Sequence, residues 1–191
     1  MDSFNDTTSA ATLLASRRSG KARDMVSPGP DAAQLRAMLA TASRVPDHGK
    51  LAPWRFVTVA DDRRAALADA LEAAYIAEKP DAGRLEREAA QAFARQAPCL
   101  VIVLAHPVAS HIPAWEQQLS VGAAVMQLLN AAHADGFVGN WLTGWAAYSP
   151  AVQALVGEPG ERIAGFVFIG TTARPLEERP RPDFDTVVRA W

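Results

Sequence analysis

The sequence has a single cysteine, Cys99, so no disulfide can form within the chain, and this is consistent with a reducing compartment. Cys99 opens an apolar run, 99–104, so we predict a buried small hydrophobic residue rather than a nucleophile. No apolar stretch approaches the length that spans a bilayer, and the polar segment 1–9 lacks the apolar core of a signal peptide. We therefore expect a cytoplasmic protein without a membrane partner, in which residues 1–9 form a flexible tail.

An excess of charge of one sign is also missing. The chain has 19 Lys and Arg against 21 Asp and Glu, which gives a net charge of −2 at pH 7. Domains that bind nucleic acids usually carry a clear basic excess, so we expect no nucleic-acid partner. The 191 residues suffice for one domain with a sizeable core.

Most signatures of nucleotide, metal and nucleophilic chemistry are absent. No Gly-x-Gly-x-x-Gly and no Gly-x-x-x-x-Gly-Lys-Ser/Thr occurs, which argues against a Rossmann site and a P-loop. His106 and His111 have no third ligand candidate close in sequence, so we expect no metal site. Ser120 lies inside a predicted helix and not at a strand-to-helix turn, which excludes a nucleophile elbow. The pattern favours chemistry supplied by a cofactor.

What the chain does contain is clustered arginine. Arg17 and Arg18 precede Ser19, Arg44 opens the stretch Arg-Val-Pro-Asp-His, and Arg55 lies within Pro-Trp-Arg-Phe. Arginine binds phosphate through two parallel hydrogen bonds, so these clusters indicate an anionic ligand. For Arg17 and Arg18 the alternative is a solvated helix end, where cations face the negative end of the helix dipole.

The predicted helices and strands do not follow a strict βαβ alternation, so the expected fold class is α+β. Hydrophobic spacing and capping residues predict helices over 12–17, 31–45, 61–79, 82–96, 115–135 and 150–156. Strands are predicted over 56–59, 99–105, 137–143 and 163–169. The 115–135 helix is apolar nearly all round, which predicts burial on nearly every side and hints at a partner subunit.

Five motifs resemble, in order, those of the FMN-dependent nitroreductase family, in its compact bacterial branch of short NAD(P)H nitroreductases. They are Arg-Arg-Ser at 17–19, Arg-x-Pro-Asp-His at 44–48, Pro-Trp-x-Phe at 53–56, Trp-Glu-Gln at 115–117 and Gly-Asn-Trp-Leu-Thr-Gly at 139–144. The resemblance runs from about residue 13 to residue 170. It implies a three-layer sandwich whose mixed, mainly antiparallel sheet is flanked by helices, in an intertwined homodimer. It also implies one FMN-binding domain, 10–171, and a C-terminal arm, 172–191, exchanged with the other protomer.

The resemblance also implies the cofactor contacts. FMN contacts fall on Arg17, Arg18, Ser19, Arg44, His48, Trp141, Leu142 and Thr143, with Arg174 as a late basic phosphate contact. The pair Arg44 and His48 would reach the FMN of the opposite protomer, so that the site lies at the subunit interface. A nicotinamide contact would follow Ala131, Ala132, His133, Ala134, Asp135 and Gly136. Two positions depart from the family: Leu142 replaces an arginine, and Gly49-Lys50 replaces Lys-Ser.

Several residues keep two interpretations. His48 is either a flavin contact or a satisfied histidine at a surface or interface, and Trp115 is either an aromatic wall near the flavin or dimer packing. Trp141 lies between glycines that let a backbone approach closely, which favours the flavin interpretation. The 82–96 helix is either a lid over the site or a solvated helix.

The activity implied by the resemblance is FMN-dependent oxidation of NAD(P)H. A small electron-poor acceptor, such as a nitroaromatic or a quinone, is then reduced in a ping-pong reaction through flavin N5, without an obligatory protein acid or base. One alternative is a flavin-binding or flavin-delivery module that has no acceptor of its own. Another is a flavin enzyme that acts on an enone or a halogenated aromatic.

Overall fold

The computed structural model describes residues 4–191 as helices packed on both faces of an antiparallel sheet. The helices are α1 (Ala10–Ser16), α2 (Ala32–Ala42), α3 (Arg64–Glu78), α4 (Arg84–Phe93), α5 (Ala114–Ala134), α6 (Gly144–Tyr148), α7 (Pro150–Val156) and α8 (Phe184–Val187). The strands are β1 (Met25–Val26), β2 (Trp54–Thr58), β3 (Cys99–Ala105), β4 (Val138–Leu142) and β5 (Arg162–Thr172). No helix within the described part of the chain is both long and apolar enough to cross a membrane.

The sheet is organised around β5. Its strand order is β1-β5-β3-β2, and β4 pairs with β5 as well, so that β5 contacts three other strands. Every strand pair in residues 4–191 is antiparallel. The α+β prediction is therefore confirmed.

Alternation along β3 divides the core into two layers. Leu100, Ile102 and Leu104 face the cluster that includes α3, α6 and α7. Val101 and Val103 face the other cluster, together with α2 and α5. Because successive side chains of a strand point to opposite faces, the unbroken apolar run makes β3 a strand covered on both sides. This is the three-layer sandwich that the sequence predicts.

Local capping explains where several elements begin and end. The Asp31 side chain accepts a hydrogen bond from the Gln34 backbone N–H at 2.8 Å, and the Gln34 side-chain oxygen accepts one from the Asp31 backbone N–H at 3.0 Å. These two bonds form a capping box at the start of α2. Ser149 caps α7, with Pro150 at its first position. Gly136 follows α5 with φ +83°, a conformation that glycine adopts without strain.

The predicted 61–79 helix begins later than expected, because residues 61–63 form a separate 3₁₀ turn and α3 begins at Arg64 without a side-chain cap. The predicted 31–45 helix ends at residue 42, and the predicted 82–96 helix spans only residues 84–93. Helix α6 and the two-residue strand β1 were not predicted. Both are short, and β1 exists only through its pairing with the end of β5.

The helix α5 is less buried than its composition predicts. Trp115 is 66% exposed and Leu119 is 54% exposed, so one face of this helix lies open in a single chain. At the C-terminus, Phe184 and Trp191 are exposed as well. Large apolar side chains that remain in solvent on one chain mark surfaces where another chain can bind.

Candidate functional site

The Arg-Arg-Ser segment is held against β4 by close backbone contacts. The Asn5 side-chain amide makes two hydrogen bonds to the Arg18 backbone. Its oxygen accepts from the Arg18 N–H at 2.8 Å, and its nitrogen donates to the Arg18 carbonyl at 3.1 Å. The Asn140 side-chain amide donates to the Gly20 carbonyl. A Cβ at Gly20 would lie 2.8 Å from Val138 Cγ1, so only glycine fits this approach. The structure therefore brings segment 17–20 beside strand β4, as one site would require.

A small cavity of about 90 Å³ opens beside this segment. Its lining includes Arg18, Ser19 and Lys21, which are close in sequence, and Arg174, which is more than 150 residues away. The cavity has room for one small anionic group and not for a fused ring system. Three cationic side chains and a hydroxyl are donors that suit a phosphate.

Two carboxylates share this cavity with the cations. Asp24 lies 3.8 Å from Arg174 Nε. Glu177 lies 3.4 Å from Lys21 Nζ, and its backbone carbonyl accepts from Arg18 Nε at 2.6 Å. The lining is therefore positive by about one charge rather than three, by the ordinary charges of these side chains.

Arg17 is half-buried and contacts Ser19. Its guanidinium donates to Ser19 Oγ at 3.2 Å. Burial, followed by the charges of Arg181 and Arg18, lowers the pKa of Arg17 from its usual value. A guanidinium still remains protonated in proteins, so Arg17 is a half-buried fixed positive charge.

Unpartnered polar atoms lie beside Arg17. His133 is fully buried, and its Nε2 accepts from the Gly139 backbone N–H at 3.1 Å, so its hydrogen is on Nδ1. Within residues 4–191, neither His133 Nδ1 nor the buried Asn140 Oδ1 has a hydrogen-bond partner. Burial, and then the charge of Arg17, lowers the pKa of His133 to about 4, so the ring is neutral. Buried polar atoms are normally paired, so these two atoms are exceptions within the described residues.

The segment expected to contact nicotinamide is only partly accessible. Ala132 and His133 are fully buried, and Ala131 is half-buried. Residues 134–136 are exposed at the C-terminal end of α5. In this structure Ala132 and His133 are closed to a ligand, whereas residues 134–136 are open to one.

Trp141 is fixed as a flat aromatic surface on β4. Its indole N–H donates to the Ala164 carbonyl at 3.1 Å, and the side chain remains 40% exposed. A Cβ at Gly165 would lie 2.1 Å from Trp141 Nε1, so the ring covers a glycine of β5. The next residue, Leu142, packs against the core on the α3 side. Leu142 thus contributes to the hydrophobic core, and it does not supply the positive charge of the arginine that it replaces.

The loop after β4 borders an apolar cavity of about 290 Å³ between α3, α4 and α6. Thr143 lies at its edge, and the rings of Tyr75, Phe93 and Trp145 form part of its wall. Polar contacts fasten α4 to α3, including the Arg87–Glu72 ion pair at 3.1 Å. The 82–96 segment therefore lines a cavity on one side and faces solvent on the other.

Arg44 and His48 lie in a different part of the chain. Both are exposed, and His48 Nδ1 is 2.7 Å from the Glu116 carboxylate in the first turn of α5. Ser120 Oγ donates to the Pro46 carbonyl at 2.9 Å, which ties this loop to α5.

Helix α5 separates this loop from the Arg17 group. Glu116, which contacts His48, and His133, whose pKa responds to Arg17, are 17 residues apart on α5, about 25 Å at 1.5 Å per residue. One chain therefore brings residues 18, 19 and 174 to the small cavity, whereas Trp141 and Thr143 border other cavities and His48 contacts the first turn of α5.

Sequence patterns did not single out Lys21, Asp24 or Glu177, although all three line the small cavity. Lys21 lies two residues beyond Ser19, and this closeness was an available signal. Asp24 and Glu177 come to the cavity only through tertiary structure. No group of three His, Cys, Asp or Glu side chains in the described residues could hold a metal ion.

Comparison with known proteins gives consistent matches. A model described as "Nitroreductase family" matches residues 14–171. "Putative NAD(P)H nitroreductase YdjA" of Escherichia coli (strain K12) is 35% identical over 164 residues, which cover 85% of this chain and 87% of that protein. The crystal structure of a nitroreductase-like family protein from Bacillus cereus superposes with a TM-score of 0.81 at 21% identity, over 96% of each chain. That of the FMN and NADPH-dependent nitroreductase NfnB from sphigopyxis sp. strain HMH superposes with a TM-score of 0.75 at 21% identity, over 96% of this chain and 99% of that one.

Proposed function

The chain belongs to the nitroreductase family, and from this premise we propose that it binds FMN and uses NAD(P)H to reduce electron-poor acceptors such as nitroaromatics or quinones. The observation that carries the proposal is the small cavity lined by Arg18, Ser19, Lys21 and Arg174. Ser19, which lines this cavity, accepts a hydrogen bond from the half-buried cation Arg17 at 3.2 Å. The names of the relatives support the same choice, since YdjA is named for NAD(P)H and NfnB for FMN and NADPH.

Each group of residues has a distinct part in this proposal. Arg18, Ser19 and Arg174 hold the phosphate, because they converge on a cavity of the right size and charge. Arg17, a fixed positive charge, stabilises negative charge on the adjoining part of the ligand. Trp141 offers a flat face whose orientation Ala164 fixes. Bound FMN supplies the hydride chemistry between the nicotinamide and the acceptor, and the chain needs no acid or base for it.

A second copy completes the proposed site. Within one chain His48 contacts Glu116 in the first turn of α5, whereas Arg17 acts on the pKa of His133 in the last turn, so the His48 loop and the Arg17 segment lie towards opposite ends of this helix. The open face of α5, with Trp115 and Leu119, offers the apolar surface on which two copies can pack. We propose a homodimer in which each site takes Arg17 and Arg18 from one protomer and Arg44 and His48 from its partner.

The C-terminal arm fits the same dimer. Phe184, Val187 and Trp191 are exposed apolar side chains at the end of the chain. A groove of about 340 Å³ runs beside the edge strand β2 and is lined by Val57 and Leu67, among others. An exposed apolar groove beside an edge strand can bind an apolar segment of another chain, so the proposed occupant is residues 184–191 of the partner.

An absorption spectrum of the purified protein tests the cofactor. We expect flavin bands, or their appearance after FMN is added, and oxidation of NAD(P)H when a nitroaromatic is present. The Arg17→Ala/Arg18→Ala variant should retain far less FMN. A wild-type protein that takes up no FMN would refute the proposal. Tight FMN binding with negligible turnover across nitroaromatics, quinones, enones and halogenated aromatics would favour a flavin-delivery module instead.

Mixed dimers test the shared site. Arg17→Ala/Arg18→Ala and Arg44→Ala/His48→Ala proteins should each lose FMN as homodimers. When the two are co-expressed in equal amounts, half of the dimers are mixed and each mixed dimer has one intact site. About a quarter of the wild-type FMN content should then return. If no FMN returns in the mixture, the residues do not act across the interface.

A further inference from the structure

Glu177 has an unusual position for a carboxylate in a cavity that suits an anion. Its side chain contacts Lys21 Nζ at 3.4 Å, and its backbone carbonyl takes the Arg18 Nε hydrogen at 2.6 Å. The neighbouring Leu176 packs against the core, and its Cδ2 would lie 3.4 Å from a Cβ at Gly20. This anchor keeps the Glu177 backbone at the cavity.

The two carboxylates of the cavity differ in their surroundings. The Asp24 side chain is 16% exposed, and the Asp24 backbone carbonyl accepts from Ala173 N–H at 2.9 Å, so Asp24 belongs to the fold. The Glu177 side chain is 76% exposed, and within residues 4–191 its one ion pair is with Lys21. Glu177 can therefore move or be replaced with little effect on the fold.

We propose that Glu177 sets the affinity of this cavity for phosphate. This proposal rests on the proposed function. Before the cofactor binds, the carboxylate of Glu177 engages Lys21, a cation that the phosphate would also use. After binding, the same carboxylate faces a dianion at close range and weakens its attraction to the cavity. The cavity therefore holds the phosphate end of FMN less tightly than its three cations would, and Glu177 is a positioning residue that controls release of the cofactor.

The experiment compares Glu177→Gln with wild type as flavin-free proteins. Binding of FMN and of riboflavin, which lacks the phosphate, is measured by quenching of flavin fluorescence. Removing one negative charge a few ångströms from a dianion should lower the Kd for FMN about five- to tenfold at low salt. The Kd for riboflavin should stay unchanged, and the gain for FMN should shrink in about 0.5 M salt. Glu177→Lys should strengthen FMN binding further.

The matched control is Glu88→Gln on α4. Glu88 is also an exposed carboxylate with one arginine partner, Arg84 at 2.5 Å, but it lies outside the cavity. The Glu88→Gln substitution changes the net charge by the same amount as Glu177→Gln, but it should leave both Kd values unchanged. If wild type binds FMN and Glu177→Gln binds it no more tightly, this inference alone is overturned. Equal tightening of FMN and riboflavin overturns it too, and a wild type that binds no FMN overturns the proposed function with it.

Discussion

His133 should make the stability of this protein fall steeply with acid. The ring is fully buried, and its pKa is about 4 in the folded protein, because burial and then Arg17 oppose the charged form. In the unfolded chain the pKa returns to about 6.5. Between these two values the unfolded state binds one more proton than the folded state, so acid favours unfolding.

The size of the effect follows from the two pKa values. At about 1.4 kcal/mol per pH unit, the interval from 6.5 down to about 4 costs about 3 kcal/mol of unfolding free energy. Above pH 6.5 His133 contributes no pH dependence. A domain of this kind has about 5–15 kcal/mol in all, so the loss is a large fraction of its stability.

Urea unfolding of the flavin-free protein, followed by tryptophan fluorescence between pH 7.5 and 4.5, measures this loss. His133→Gln cannot titrate in this range, and its side-chain oxygen can accept the Gly139 N–H hydrogen bond. This variant should lose much less stability than wild type as the pH falls, whatever its stability at pH 7.5. The control is His111→Gln, since His111 is exposed and should leave the wild-type profile unchanged. If His133→Gln and wild type lose stability in parallel, His133 does not titrate as described.

Three further predictions concern other parts of the chain. Gly165→Ala places a Cβ 2.1 Å from Trp141 Nε1, so the indole must move, and we expect a loss of about 1–3 kcal/mol in urea unfolding together with a changed tryptophan spectrum. Glu161→Gln weakens the buried carboxylate's contact with Arg55 Nε at 2.8 Å and should cost about 1–3 kcal/mol by the same measurement; an unchanged midpoint would contradict this. Burial raises the pKa of the Cys99 thiol to about 11, so a thiol reagent at pH 8 should label it only after unfolding, and rapid labelling of the native protein would show the opposite.

Patterns within one element were sufficient to predict the main helices and strands. Strand β3 has the predicted bounds, because an unbroken run of apolar residues after Pro98 fits only a strand covered on both faces. Helix α5 begins and ends one residue before the predicted bounds. The predicted burial on nearly every side is incomplete within one chain, since composition shows that a face is apolar but not whether the same chain or a partner subunit covers it. Trp115 and Leu119 remain open in the single chain.

The candidate site was predictable only in part. The spacing of Arg17, Arg18 and Ser19 pointed to an anion, and the structure gives Arg18 and Ser19 a cavity of matching size. Sequence could not show that Glu177, more than 150 residues away, also lines that cavity. Nor could it show that His133 is closed to solvent, because burial depends on how β4 packs against α5.

The length of α5 links cofactor binding to assembly in the proposed dimer. Within one chain the His48 loop and the Arg17 segment lie towards opposite ends of this helix, so in the proposed dimer a single chain offers FMN only part of its site. A ligand that needs both groups binds the dimer and not the separated chains. At a free FMN concentration 100 times its Kd, such binding stabilises the dimer by about 2.7 kcal/mol per site. Added FMN should therefore shift the monomer–dimer equilibrium toward dimer, and riboflavin should shift it less, because riboflavin cannot use the cations of the phosphate cavity.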